Sequence, residues 1–179
     1  MIVMIQYFTE NIMFKFFKRQ SSKTQSRQQS THMAPGTQIC YIPNLVENLR
    51  KDHKALLNIF GKIKSSFEAG KFRKVEKNLK TFRRLLTDHL LTENVRLYIY
   101  LGHEFAQDEV TSDLVKEFKS EMNQISKVVM AFLTKYETIG VNKGLSESFN
   151  KDLNAIGQAL TERIQREENT LYPLYMPSY

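Results

Sequence analysis

Within Arg84–Leu101, RLLTDHLLTENVRLYIYL, an imidazole and a carboxylate stand four residues apart, at His89 and Glu93. That spacing sets both on one face of a helix. On a solvated face they are ordinary surface groups. On an apolar face they are ionisable groups in a core, and each needs a counter-charge, a bound ion or hydrogen bonds. The residues Val75, Leu79, Phe82, Leu86, Leu97 and Tyr100 recur at helical steps, and the gaps in that stripe fall at 89 and 93. His89 and Glu93 therefore belong to the buried face.

Three other periodic segments position further residues of this kind. The first carries Leu45, Leu49, Leu56, Phe60, Ile63 and Phe67, with a gap filled by His53, and EAGK at 68–71 ends it. The His89 segment follows and closes at Gly102. The third opens near the N-cap cluster Thr111-Ser112-Asp113 and runs without a polar gap through Leu114, Phe118, Met122, Ile125, Val129, Phe132 and Tyr136. After the loop TIGVNKGLS, a fourth segment with Ser146 as N-cap carries Phe149, Leu153, Ile156, Leu160 and Leu171. Its gaps hold Arg163 and Glu167, and Pro173 marks its end. Four long amphipathic helices with short connections predict an all-α, up-down-up-down four-helix bundle. Antiparallel packing brings His53, His89, Glu93, Met122, Arg163 and Glu167 to similar depth, at one end of the core.

Composition agrees with a helical domain. The 179 residues include no Trp, few Gly and Pro, and many helix formers. The single Cys40 excludes an internal disulfide and a cysteine zinc site, and fits a reducing, cytoplasmic setting. The net charge of +7 comes largely from FKFFKRQSSKTQSR, while elsewhere both signs are interspersed. Nucleic-acid binding is therefore not expected. No apolar run reaches the length of a membrane span. Residues 1–18 are apolar, but their charge order is the reverse of a secretory signal, and Met13 is an alternative start. Residues 19–40, with a solvated His32, read as a flexible linker. The expected organisation is an N-terminal extension over 1–40 and a bundle domain over 41–179.

The polar constellation resembles the hemerythrin-like, or HHE cation-binding, domain. RKDHKALL is similar to the family's first-helix motif, with His53 at the ligand histidine. TDHLLTEN resembles the HxxxE motif, which implies His89 as a ligand and Glu93 as a metal-bridging carboxylate. EMNQISKVV resembles the third-helix motif, with Met122 where the family has a histidine. LTERIQREENTLYPLY resembles the fourth, with Arg163 in place of a histidine and Glu167 at the second bridging carboxylate; Glu168 is the alternative by one register step. The resemblance implies a di-iron centre, of which His53, His89, Glu93 and Glu167 survive as one half.

Two imidazoles and two carboxylates suit Fe(II), Mn(II) or Zn(II). The half site favours one bound iron over two. The metal-free alternative is a network in which Arg163 pairs with Glu167 and reaches Glu93 across the bundle. The functional expectation is a non-enzymatic metal-binding protein for oxygen, nitric oxide or iron sensing and handling, with a diatomic ligand at the ion. The alternative is a metal-free bundle that binds a protein partner, because the fourth helix also resembles the C-terminal helix of bacterial anti-sigma regulators. His103 is expected in solvent, and Tyr98, Tyr100 and Tyr136 in a packed aromatic core. No phosphate loop or Ser-His-Asp arrangement points to a kinase or hydrolase.

Overall fold

The computed structural model describes residues 33–177, so the readings of residues 1–18 and of the linker over 19–32, His32 included, lie outside the described part. Helix α1 spans Leu45–Glu68 and α2 spans Phe72–Thr92. A π-helical turn over Glu93–Leu97 joins α2 to α3, Tyr98–Glu104. Helix α4 spans Glu109–Lys135 and α5 spans Ser146–Arg166. A second π turn, Glu167–Leu171, and a 3₁₀ turn, Tyr172–Leu174, extend α5. The result is four rods: α1, α2 with α3, α4, and α5 with its extension.

Local signals set the ends. Gly70 takes the left-handed conformation (φ 66°) after α1, and Lys71 N–H and Gly70 N–H bond back to Ser66 and Phe67 carbonyls. That is the glycine-terminated helix end the EAGK sequence implies. The start of α4 lies earlier than expected. Asp108, not the Thr111-Ser112-Asp113 cluster, is the N-cap, and its carboxylate accepts from Thr111 N–H and from the Thr111 hydroxyl. Ser146 is the first residue of α5 rather than its cap. Gly102 does not stop its helix, which continues to Glu104.

The core shows the antiparallel order directly. One apolar cluster joins the second half of α1 (Ile59, Ile63), the start of α2 (Val75, Phe82), the end of α4 (Val129, Phe132) and the start of α5 (Phe149, Leu153). A second joins the start of α1 (Leu45, Leu49), α3 (Tyr98, Leu101), the start of α4 (Phe118) and Leu171–Tyr175. Early residues of one rod meet late residues of the next, which only alternating directions allow. Between the clusters lies a polar layer. Its groups are buried His53, His89, Glu93, Arg163 and Glu167. The layer is therefore not at an open end of the bundle, because a second apolar cluster seals it.

Two details fix the helix spacing around this layer. Gly157 lets α5 approach α1, since a Cβ there would meet Phe60 at 2.8 Å. Tyr136 donates to Asp152 at 2.7 Å and shares a hydrogen bond with Ser148, tying α4 to α5. Residues before α1 also pack. Met33 and Cys40 form an isolated antiparallel bridge across a turn at Gly36 (φ 69°), Ala34 is buried, and Ile42 N–H donates to Tyr175 Oη at 2.8 Å. Among the described residues no helix is long and apolar enough to cross a membrane.

Candidate metal centre

Each buried glutamate opens a π turn. Tyr98 N–H bonds to the Glu93 carbonyl and Tyr172 N–H to the Glu167 carbonyl, each five residues back. The wider turn shifts the register by one residue, so the residue after the expected apolar position also faces inward. The sequence repeats accordingly: His89, Glu93, Leu97, Tyr98 in one rod and Arg163, Glu167, Leu171, Tyr172 in another. The two stretches form related halves of the polar layer, and they differ in what accompanies the carboxylate.

In one half the partner is a guanidinium. Arg163 Nε donates to Glu167 Oε1 at 2.7 Å, and one terminal nitrogen donates to Glu121 at 3.0 Å. The other terminal nitrogen donates to Tyr98 Oη at 2.7 Å and to the Phe118 carbonyl at 3.0 Å. The guanidinium also lies over the Phe118 ring, 4.7 Å from its centroid. The expected reach to Glu93 is not made. Tyr98, Glu121 and the Phe118 carbonyl take those donors instead. Burial opposes the charge on Arg163, but Glu167 and the surrounding oxygens more than restore it and raise its pKa. Met122, also buried, stands beside this half with a thioether and no nitrogen donor.

The other half has two imidazoles. His53 Nε2 stands 3.3 Å from Glu167 Oε2, and His89 Nε2 stands 3.7 Å from Glu93 Oε2. The rings meet edge to face with centroids 4.7 Å apart. Their outer nitrogens face carboxylates: His53 Nδ1 bonds to Glu168 at 2.8 Å, and His89 Nδ1 lies 3.8 Å from Asp52. Glu167 enters the core, and Glu168 holds the far side of His53. The Glu168 carboxylate behind His53 orients that ring and raises its basicity toward an ion in front. Tyr172 Oη donates to Glu93 Oε1 at 2.9 Å and lies 3.2 Å from His53 Nε2.

The electrostatics of this half are incomplete. Glu93 Oε2 and Glu167 Oε2 are buried with no hydrogen-bond partner, as is His89 Nδ1. Burial, and then the charge of Glu167, raise the Glu93 pKa to about 7. Burial also opposes ionisation of Glu167, but His53 and Arg163 outweigh it and lower its pKa. For His53, burial opposes protonation, while Glu167 and Glu168 outweigh it and raise the pKa. Burial and the neighbouring carboxylates hold the Tyr172 hydroxyl protonated well above its ordinary range. The two buried carboxylates thus face the Arg163 guanidinium and a His53 imidazole whose protonation they favour, while Glu93 itself is pushed toward the neutral acid. One donor atom from each of His53, His89, Glu93 and Glu167 lies within 4.8 Å of the others, and a cation among them fits this set.

The four site residues named from sequence come together. His103 is exposed and Tyr136 is buried in the core, both as read, and Tyr136 also donates to Asp152. Sequence reading missed the roles of Tyr98, Tyr172, Glu121 and Asp52. A strict 3.6-residue period does not place the two tyrosines inward, because the π turns displace them. The repeated Glu-x-x-x-Leu-Tyr is the signal that marks them. No curated protein and no solved structure matches the chain. Residues 44–175, well over half of it, match the model of the hemerythrin HHE cation binding domain, and the chain belongs to that family.

Proposed function

We propose that this protein holds a single iron ion between His53, His89, Glu93 and Glu167, and that it senses or carries a diatomic molecule rather than catalysing a reaction. One observation carries the reading. Two buried carboxylate oxygens, Glu93 Oε2 and Glu167 Oε2, make no well-formed hydrogen bond and lie 3.7 and 3.3 Å from imidazole nitrogens, and His53 is braced from behind by Glu168. Arg163 acts as a built-in cation where a second ion would need a nitrogen donor, and its charge repels one there. When bound, the iron supplies a position able to take oxygen or nitric oxide. A cavity of about 20 Å³ beside His53 and His89, walled by Phe60, Leu86, Met122 and Leu160, has room for a molecule of that size.

A metal-free bundle serving a protein partner is the competing reading, and the four hydrogen bonds of Arg163 favour it for that half of the layer. They do nothing for Glu93. Metal retention after gel filtration separates the two. Wild-type protein is expected to keep iron, and His53→Ala, His89→Ala and Glu93→Ala to lose it while staying folded by circular dichroism. Equal iron in wild type and all three variants would remove these residues from the site.

A further inference from the structure

Tyr172 has no part in the four-residue site, yet its hydroxyl lies inside it. The side chain is buried, and its ring is nearly parallel to the His53 imidazole, at 9° with centroids 5.6 Å apart. Its oxygen is 2.9 Å from Glu93 Oε1 and 3.2 Å from His53 Nε2. Ligands at right angles on one ion, with bonds of about 2.0–2.2 Å, stand about 3 Å apart. The two hydrogen-bond distances from Tyr172 Oη, to Glu93 Oε1 and His53 Nε2, therefore match the spacing that ligands of one ion would keep.

The other half of the layer provides the comparison. Tyr98 occupies the equivalent place after its π turn, and its oxygen accepts from the Arg163 guanidinium at 2.7 Å. There the phenol oxygen rests on the resident cation. In the imidazole half the equivalent oxygen faces two of the candidate ion ligands, Glu93 and His53.

We propose that Tyr172 Oη is a fifth protein ligand when the ion is ferric. This rests on the iron-binding reading above. A cation of high charge bound to an oxygen drives off its proton. The Tyr172 O–H bond breaks as the oxygen's electron pair forms the iron–oxygen bond, and one proton leaves to solvent. The iron keeps its oxidation state throughout. The phenolate adds a negative charge to a site that already holds two, which matches a ferric ion better than a ferrous one.

The test loads the full chain with ferric ion supplied as its citrate complex. The wild-type spectrum is read first, so the result does not depend on a variant's folding. Expected are a visible phenolate-to-iron charge-transfer band and phenolate ring vibrations in resonance Raman. Tyr98→Phe should keep both. Tyr172→Phe should lose both while iron remains bound. Iron bound without phenolate vibrations in the wild type overturns the proposal and leaves the four-residue site standing. Vibrations that survive in Tyr172→Phe, or vanish in Tyr98→Phe, also overturn it. A wild-type chain that binds no iron overturns the site and the fifth ligand together.

Discussion

Replacing Arg163 by Met removes a buried cation and keeps most of its volume. The guanidinium makes four hydrogen bonds, to Glu167, Glu121, Tyr98 and the Phe118 carbonyl. Glu167 is fully buried, so the variant takes away its shortest ion pair and leaves it with His53 alone. Breaking one side of a buried pair costs roughly 3–5 kcal/mol, most of it from the group left behind. For a chain of this length, 1 kcal/mol shifts Tm by about 2–4 °C, so the ion-free variant should melt about 6–20 °C lower. Urea unfolding of ion-free wild type and Arg163→Met measures the loss. In the iron-loaded pair the loss should be smaller, because an ion faces Glu167 from the other side. A loss below about 1 kcal/mol, the value of an exposed pair, would refute the view of Arg163 as a structural cation.

Restoring nitrogen donors in the same half should change metal content: Met122→His combined with Arg163→His is expected to raise iron from about one to about two per chain, by elemental analysis. Gly157→Ala places a methyl 2.8 Å from Phe60 Cε1 and overpacks the α1–α5 contact. It should cost about 1–3 kcal/mol in denaturant unfolding. Asp152 has a pKa held below the ordinary carboxylate value by Lys135 and then by Tyr136. A carboxylate with a depressed folded pKa contributes stability above its unfolded pKa and loses it as pH falls through the folded one. The wild-type advantage over Asp152→Asn, measured by urea unfolding, should therefore be constant at neutral pH and shrink below about pH 4. The advantage itself should be about 1 kcal/mol or less, because the side chain is one-third exposed.

Most of the bundle was legible because apolar spacing is a direct record of which face is buried. The gaps at His53, His89, Glu93, Arg163 and Glu167 were legible for the same reason: a polar residue on a stripe must meet other polar groups. The depth of the layer was not. Periodicity orders residues around a helix axis, but it does not show that Leu45, Leu49 and the aromatic residues near Tyr172 close the bundle beyond the site. The inward turn of Tyr98 and Tyr172 was hidden by the π turns, which break the period at the residues that matter. Glu121 escaped because it approaches Arg163 from a partly exposed position, outside the stripe. The partners of Arg163 depend on side-chain reach across helices, and its spacing from Glu167 showed only the first of them.

The central claim is that one half of the polar layer holds an ion and Arg163 stands in for the other. Iron counted per chain after anaerobic ferrous loading and removal of excess tests it most directly. The account predicts about one iron per wild-type chain, lost in His89→Ala. Two irons would show that Arg163 does not exclude the second ion. None would show that His53, His89, Glu93 and Glu167 form a polar network without metal.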